Sequence, residues 1–563
     1  MGGVFQVGVK LRTGAVAQVA RSTPLRRAQL SFGLAWASEW ALVVGLGVFA
    51  FREGGAAAVG IVTAVRMIPA ALIAPFAATV ADAARRELTL LCIGLIRAAT
   101  LGAAAVLIGA GGATGAVYAL AILATIAQAL FRPAHSALLP ALCTSPQQLT
   151  SANVVRGMLD SLAVLGGPLL AAALLATSGL ASVFAFCAAA SLAGGLVVVA
   201  LPYDVPPRGE RPARGGARAV LQGFSAIGAD RGGLGLITRL GVAQTFTRGC
   251  LNVFSVVVAI ELLDLGNGGV GVLNAAIGAG AVLGSILTFR LVGHGGLAVW
   301  FGVGVTLWGV PLVFLGAVPE VAAAIAAFAV VGIGNALIDA GGFTVLARLA
   351  DEAVLARMFA AFEATLTLGV AAGALLTPLL IDLLGTRLAL VAVGLVTPVA
   401  VAVRWAELRR LDVRMRVRDA DIELLQNVPM LRALPEATIE QLAGALVHVE
   451  VAPGRAVFAQ GDPGEDVYVI ESGSAEVVRD GWAVATLGRG DCFGEIALLH
   501  EVVRTAGVSA SADAPLRLSV LPRSPFLTAV TGYPASATAG ERVVTERLDA
   551  LAAGPELSGG DPT

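Results

Sequence analysis

Glu495, Arg504 and Thr505 are the side chains whose types and spacing point most directly to ligand chemistry. In the stretch from Phe493 to Ala510, FGEIALLHEVVRTAGVSA, a Gly-Glu pair opens a short apolar helical turn. An Arg-Thr pair closes the loop nine residues after the glutamate. Backbone N–H groups at a helix start attract an anion, Arg504 adds a fixed charge with a fork of donors, and Thr505 adds a hydroxyl. Together they read as a phosphate trap. A carboxylate beside a phosphate would repel it, so Glu495 is better placed to accept a hydrogen bond from a sugar hydroxyl. The stretch therefore asks for a nucleotide; the alternative is a β-domain whose loop merely turns there.

A second set of candidates consists of charges inside long apolar runs, which are costly in a bilayer and usually functional. Glu39 sits between Trp36 and Trp40 with no compensating charge within one turn of its own helix, and Arg66, Arg97, Asp160, Arg248, Asp339 and Glu363 complete the set. An isolated carboxylate in such a place can take up and release a proton during a transport cycle. On this reading Glu39→Gln abolishes gradient-driven flux and spares folding, with Asp339 as the other candidate proton carrier. For Glu39, as for Arg97, Arg248 and Asp160, the alternative is pairing across the bundle or snorkelling to the interface.

These residues need elements to hold them, and composition says what kind. Of 563 residues, 57% are hydrophobic and 14% charged, with mean hydropathy +0.84, which marks a polytopic membrane protein. About twenty apolar residues cross a bilayer core. Applied to the chain, that length predicts twelve spans: 28–50, 56–80, 88–110, 113–133, 152–177, 180–201, 236–263, 268–290, 297–318, 321–346, 358–382 and 386–405. Arginines collect in the loops after even-numbered spans (Arg85, Arg86, Arg208, Arg211, Arg214, Arg218, Arg290, Arg348, Arg357), which predicts both termini in the cytoplasm. The first 27 residues read as a cytoplasmic tail. Net charge −1 without a basic, aromatic-interleaved patch argues against nucleic acid. Five scattered cysteines (92, 143, 187, 250 and 492) show no metal-ligand spacing and read as small apolar fillers. No nucleoside-triphosphate loop, Ser-His-Asp set or metal-helix motif is present in the sequence, so neither an enzyme nor a hydrolytic pump is expected.

The stretch around Arg504 resembles the phosphate-binding cassette of the cyclic nucleotide-binding domain family. Upstream, DIELLQNVPMLRALPEATIEQLAGAL looks like that family's leading helices and APGRAVFAQGDPGEDVYVIESGSAEVV like its first β-roll strands, with glycines 454, 461, 473 and 490 where the roll turns. Val503 stands where proline often precedes the arginine, and Gly507 where threonine is commoner. The resemblance implies a regulatory ligand, cyclic AMP first and cyclic GMP second, held by Val484, Phe493, Gly494, Glu495, Ile496, Ala497, Arg504 and Thr505. It also implies a C-terminal lid helix, ERVVTERLDALAA, with Leu548 over the base.

Six spans on either side of a basic loop, Pro202 to Gly235, resemble the major facilitator superfamily, which is built from repeated halves with substrate at the midplane. AATVADAARR after the second span resembles that family's gating-loop motif, making Asp82 and Arg86 a candidate latch. FRPAHSALLPALCTSPQQLTSANVVRGMLDSLAVLGGPLLAAALL and GIGNALIDAGGFTVLARLADEAVLARMFAAFEATLTLGVAAGALL look like its drug- and siderophore-export branch.

The expected fold is mainly α, a twelve-helix membrane bundle of two six-helix halves followed by a cytoplasmic β-roll. The expected domains are a tail (1–27), transporter halves (28–201 and 236–405) around the loop (202–235), a helical linker (406–423), the nucleotide domain with its lid (424–552) and a disordered tail (553–563). The expected function is proton-coupled export of a small amphiphilic molecule across the plasma (inner) membrane, regulated by cyclic AMP. The alternative is a membrane-anchored nucleotide sensor that does not transport. A homodimer is possible on this reading, and the lipid bilayer is the remaining partner.

Overall fold

The computed structural model describes residues 16–83, 85–143, 145–201, 233–291, 296–349 and 352–553. The chain divides into two units, Met1–Asp412 and Val413–Thr563.

The first unit is helical. Its elements are α1 (Thr23–Ala83), α2 (Arg86–Gly109), α3 (Thr114–Ala129), α4 (Phe131–Leu142), α5 (Pro146–Thr177), α6 (Leu180–Val197), α7 (Leu234–Val257), α8 (Gly266–Leu291), α9 (Leu297–Ala317), α10 (Val321–Leu349) and α11 (Glu352–Asn427). A π-helical turn, Val258–Leu262, follows α7. Ten helical stretches among the described residues are long and apolar enough to cross a membrane. Two of these contain a glycine break, at Gly54 and Gly55 in α1 (φ −160° and 61°) and at Gly385 in α11 (φ 79°), so each holds two apolar spans. The breaks fall between the expected spans 1 and 2 and between spans 11 and 12, and account for the twelve spans expected from length. Positive φ at Gly55 and Gly385 is a backbone state that a side chain would strain. The outward faces carry Leu383 (80% exposed), Val403 (75%) and Leu388 (62%), side chains whose natural solvent is lipid.

Lipid is as apolar as leucine, so these helices hold together by close backbone approach rather than by hydrophobic exclusion. A Cβ on Gly280 of α8 would lie 1.8 Å from the Ala329 carbonyl oxygen of α10. Gly278 and Gly271 of α8 lie against Leu165 and Pro168 of α5, which joins the two halves. At the membrane unit's end Asp412, 3% exposed, accepts the N–H groups of Ala298 and Val299 at 2.8 and 2.9 Å. Those are two of the free donors in the first turn of α9, whose N-cap residue, Gly296, has no side chain to satisfy them.

The second unit is a β-sandwich flanked by helices. Its strands are β1 (Val447–Val451), β2 (Ala456–Phe458), β3 (Asp466–Ser472), β4 (Ala475–Arg479), β5 (Trp482–Leu487), β6 (Cys492–Phe493), β7 (Gly507–Ala510) and β8 (Leu516–Pro522). They form two antiparallel four-stranded sheets, β1-β8-β3-β6 and β2-β7-β4-β5. Ile470, Phe493, Val508, Leu516 and Leu518 fill the space between the sheets. The helices of this unit are α12 (Glu436–Gly444), α13 (Glu495–Leu499), α14 (Arg523–Gly532) and α15 (Pro534–Ala553). Leu425, Val428 and Leu431 pack with Val467, Val469, Phe526 and Val530 into a separate core outside the first sheet. The residues 202–232 of the basic loop, most of the N-terminal tail and residues 554–563 lie outside the described residues.

Candidate functional site

In the second unit β6 delivers Phe493 and Gly494 to the start of α13, and the chain returns through Arg504 into β7. Gly494 has φ 91°, which turns the strand directly into the helix. Phe493, Gly494, Glu495, Ile496, Ala497, Arg504 and Thr505 line one cavity together with Val484, so the structure brings together every residue expected there except Leu548. The cavity's opposite wall is apolar, made by Phe458, Val477, Leu487 and Val508. Leu548 lines a neighbouring cavity with Gln460, Val502 and Val503, on which Arg504 and Thr505 also border.

Arg504 is 4% exposed and is held from three sides. It donates to the carbonyls of Gly494 (2.8 Å) and Asp466 (3.0 Å), and its guanidinium lies 4.2 Å from the Phe458 ring centroid. Burial draws the guanidinium below its usual value, with Tyr468 and Asp466 opposing that shift. Glu495 is 1% exposed, and its Oε1 accepts from Arg547 of α15 at 2.7 Å. Arg547 also donates to the Cys492 carbonyl at 2.6 Å. Burial lowers the Arg547 guanidinium, but the charge and hydrogen bond of Glu495, with Cys492 and Asp491, together outweigh it and leave it raised. The Cys492 thiol is pushed up to about 12 by burial, so it is an inert neighbour.

Two buried polar atoms of residues that line this cavity have no partner among the described residues, Glu495 Oε2 and Arg504 Nε. Such atoms are costly unless something supplies the missing hydrogen bond. One wants a donor such as a hydroxyl and the other wants an acceptor such as a phosphate oxygen. The cavity thus offers complementary groups to a sugar phosphate, with apolar surface left for a base. Arg547 is the residue that sequence reasoning missed. It appears there only within the lid-helix stretch ERVVTERLDALAA, and its partner lies 52 residues earlier.

In the first unit Glu39 is tied to two guanidiniums from other helical spans. Its Oε1 accepts from Arg66 at 2.9 Å and its Oε2 from Arg97 at 2.9 Å. Arg66 donates on to Thr125 (2.8 Å), and Arg97 to Ser38, Ser191 and the Ala124 carbonyl. The expectation of an uncompensated Glu39 holds only along its own helix. At 1% exposure Arg97 pairs across the bundle and does not snorkel.

The remaining charges form a more open group. Asp160 is 3.5 Å from Arg132, whose guanidinium lies 4.9 Å from the Trp36 ring centroid. Asp339 accepts from Asn335 at 2.9 Å, and Arg248, Arg132, Asp160 and Glu363 act on it electrostatically. Asp339 and Glu363 both have exposed side chains, and neither has an ion pair within 4 Å among the described residues. Arg86 is partly buried at the start of α2, and the side chain of Asp82 lies outside the described residues.

The architecture and sites define a multi-pass membrane protein with a transporter fold and a nucleotide-binding β-roll. Residues 30–294 match the Major Facilitator Superfamily model, and residues 448–533 match that of the cyclic nucleotide-binding domain. The membrane unit is thus similar to the Major Facilitator Superfamily over its first part, and the C-terminal unit to the cyclic nucleotide-binding domain. Over 88 residues the chain is 48% identical to the cAMP-dependent protein kinase regulatory subunit of Schizosaccharomyces pombe, covering 16% of this chain and 21% of that protein. It is 41% identical over 104 residues to the subunit of the same name from Yarrowia lipolytica, covering 18% and 27%. The chain spans about a quarter of the length of these relatives. A POT family transporter solved in complex with a thioalcohol-conjugated peptide shares the membrane fold, at 14% identity and TM-score 0.57, covering 69% of this chain and 96% of that one.

Proposed function

We propose that this protein is a secondary transporter whose conformational equilibrium is biased by cyclic AMP bound between Glu495, Arg504 and the apolar wall. The observation that carries the regulatory half is the pair of buried, unpartnered atoms, Glu495 Oε2 and Arg504 Nε, in one cavity of a chain that also has a transporter fold. Arg504 would hold the cyclic phosphate, Glu495 the ribose hydroxyl, and Arg547 would fix the Glu495 carboxylate from the lid. Cyclic AMP is placed before cyclic GMP because the relatives matched over this domain are named for cyclic AMP. A ligand shifts a transporter only by its differential affinity for two states. Seating α15 through Arg547 is the step that would distinguish them.

The transported molecule is proposed to be a small amphiphile, exported across the plasma membrane with both termini cytoplasmic, in the drug- and siderophore-export branch. Proton coupling is assigned to Asp339 with Glu363 rather than to Glu39. Glu39 would have to release two guanidiniums to accept a proton, whereas Asp339 is held by one amide. Asp82 and Arg86 remain the proposed gating latch.

Calorimetric titration of the full chain with cyclic AMP and cyclic GMP, beside Arg504→Ala, tests the regulatory half. Absence of binding to both nucleotides removes it. Flux of amphiphilic dyes in proteoliposomes, with and without cyclic AMP and a pH gradient, tests the rest. Nucleotide binding without flux under any condition would replace the transporter reading with a membrane-anchored sensor.

A further inference from the structure

His448 lies at the centre of a cluster that the nucleotide pocket does not use. It sits in β1 opposite Ser519 of β8. In β3 the register with β8 passes from Ile470–Leu518 to Ser472–Arg517, leaving Glu471 as the extra residue of a bulge. A bulge re-aims its side chain, and Glu471 Oε1 lies 2.5 Å from His448 Nδ1 while also accepting from Ser519 at 2.7 Å. The other ring nitrogen, Nε2, lies 3.5 Å from Asp421 Oδ2. Asp421 belongs to the last turns of α11, a helical stretch that leads in sequence directly out of the last membrane span.

We infer that His448 is a proton-binding clasp that fastens the 413–427 helix to the first sheet, closed when the imidazole is protonated and released when it is neutral. Neutral imidazole carries one N–H and one lone pair. Here both nitrogens face carboxylates, so the neutral ring would turn a lone pair on one of them, and only imidazolium donates to both. A metal ion does not fit the same role, because the two carboxylates sit at opposite ring nitrogens and cannot share one ion with the ring.

The charged groups around the ring are Asp421 from α11, Glu471 from β3, Glu450 from β1 and Arg517 from β8. Arg517 is 3.1 Å from Glu450 and also acts on Glu471. The Glu471 hydrogen bond and the Asp421 charge raise His448 above its ordinary value against the effect of burial. Burial raises Glu471, but the hydrogen bonds from His448 and Ser519 with the His448 and Arg517 charges together outweigh it and hold the carboxyl low. A group raised in the folded state contributes stability that is fully present below its unfolded value, about pH 6.5 for histidine, and lost as pH rises through the folded value. The clasp is therefore closed at mildly acidic pH and opens on alkalinisation, which makes the proton a second ligand of the nucleotide-binding unit.

The test is hydrogen–deuterium exchange of the full chain in nanodiscs from pH 6 to 8.5, reported as protection factors corrected for the intrinsic rate. In the wild type, protection of the 413–427 peptide should fall by up to about tenfold per pH unit from about pH 6.5 to the raised His448 value and level off above it, while β8 stays protected. His448→Gln should give low, pH-independent protection of that peptide. Glu471→Gln, a milder change, should move the midpoint down towards the ordinary histidine value. A flat wild-type profile, a His448→Gln profile with the wild-type slope, or an unmoved midpoint in Glu471→Gln overturns the inference. If His448→Gln fails to fold, the wild-type and Glu471→Gln profiles decide alone.

Discussion

Arg547→Ala removes the cation that reaches from the lid helix into the nucleotide cavity. The Glu495 carboxylate it leaves behind is 1% exposed, with one oxygen already unpartnered. Breaking a fully buried ion pair by deleting one partner costs about 3–5 kcal/mol. Arg547 is itself 29% exposed, so water screens part of the interaction and about 2 kcal/mol is the appropriate scale. If seating the lid is part of binding, most of that loss appears in the affinity for cyclic AMP, about thirtyfold. The assay is titration calorimetry on the wild type, Arg547→Ala, Glu495→Gln and the double variant. A neutral amide in place of the Glu495 carboxylate no longer needs a cation, so Arg547→Ala should cost much less in the Glu495→Gln background, giving a coupling of more than about 1 kcal/mol. Additive effects, or wild-type affinity in Arg547→Ala, would refute the reasoning that Arg547 acts through Glu495.

Other outcomes follow from the same geometry. Arg504→Lys should bind cyclic AMP about ten- to hundredfold more weakly by calorimetry, because an ammonium cannot hold the Gly494 and Asp466 carbonyls and still present a second edge to a phosphate. Glu39→Gln should lower the thermal stability of the purified protein by about 3 kcal/mol, since it strips Arg66 and Arg97 of their only counter-charge among the described residues. This revises the sequence-based expectation that folding is spared, and an unchanged melting profile would restore it. Asp412→Ala should destabilise the membrane unit by about 1–2 kcal/mol through loss of the two bonds that cap α9, seen as a lower midpoint in detergent unfolding.

The twelve spans and the loop that lines the C-terminal cavity were legible because both are local signals. A run of about twenty apolar residues or a Gly-Glu followed by Arg-Thr can be read without knowing what lies opposite. What was not legible depended on pairing. Glu39 looked solitary because Arg66 and Arg97 lie 27 and 58 residues away on other spans. Arg547 did not stand out within the lid-helix stretch because Glu495 is 52 residues earlier. Leu548 was assigned to the nucleotide by analogy, and the adjacent position on the same helix reaches the cavity instead. The His448 cluster needed a strand bulge, and bulges leave no mark on hydropathy.

Asp412 gives the chain a keyed exit from the membrane. Two backbone bonds to the start of α9 fix the rotational phase of the helix at that residue, as a spline fixes a shaft. A headgroup anchor would drift with bilayer thickness and lipid charge, but this one is indexed to protein. Changes in lipid composition should therefore leave the azimuth of the helix at residue 412 unaltered, and any signal passing that point must either carry α9 with it or break the key.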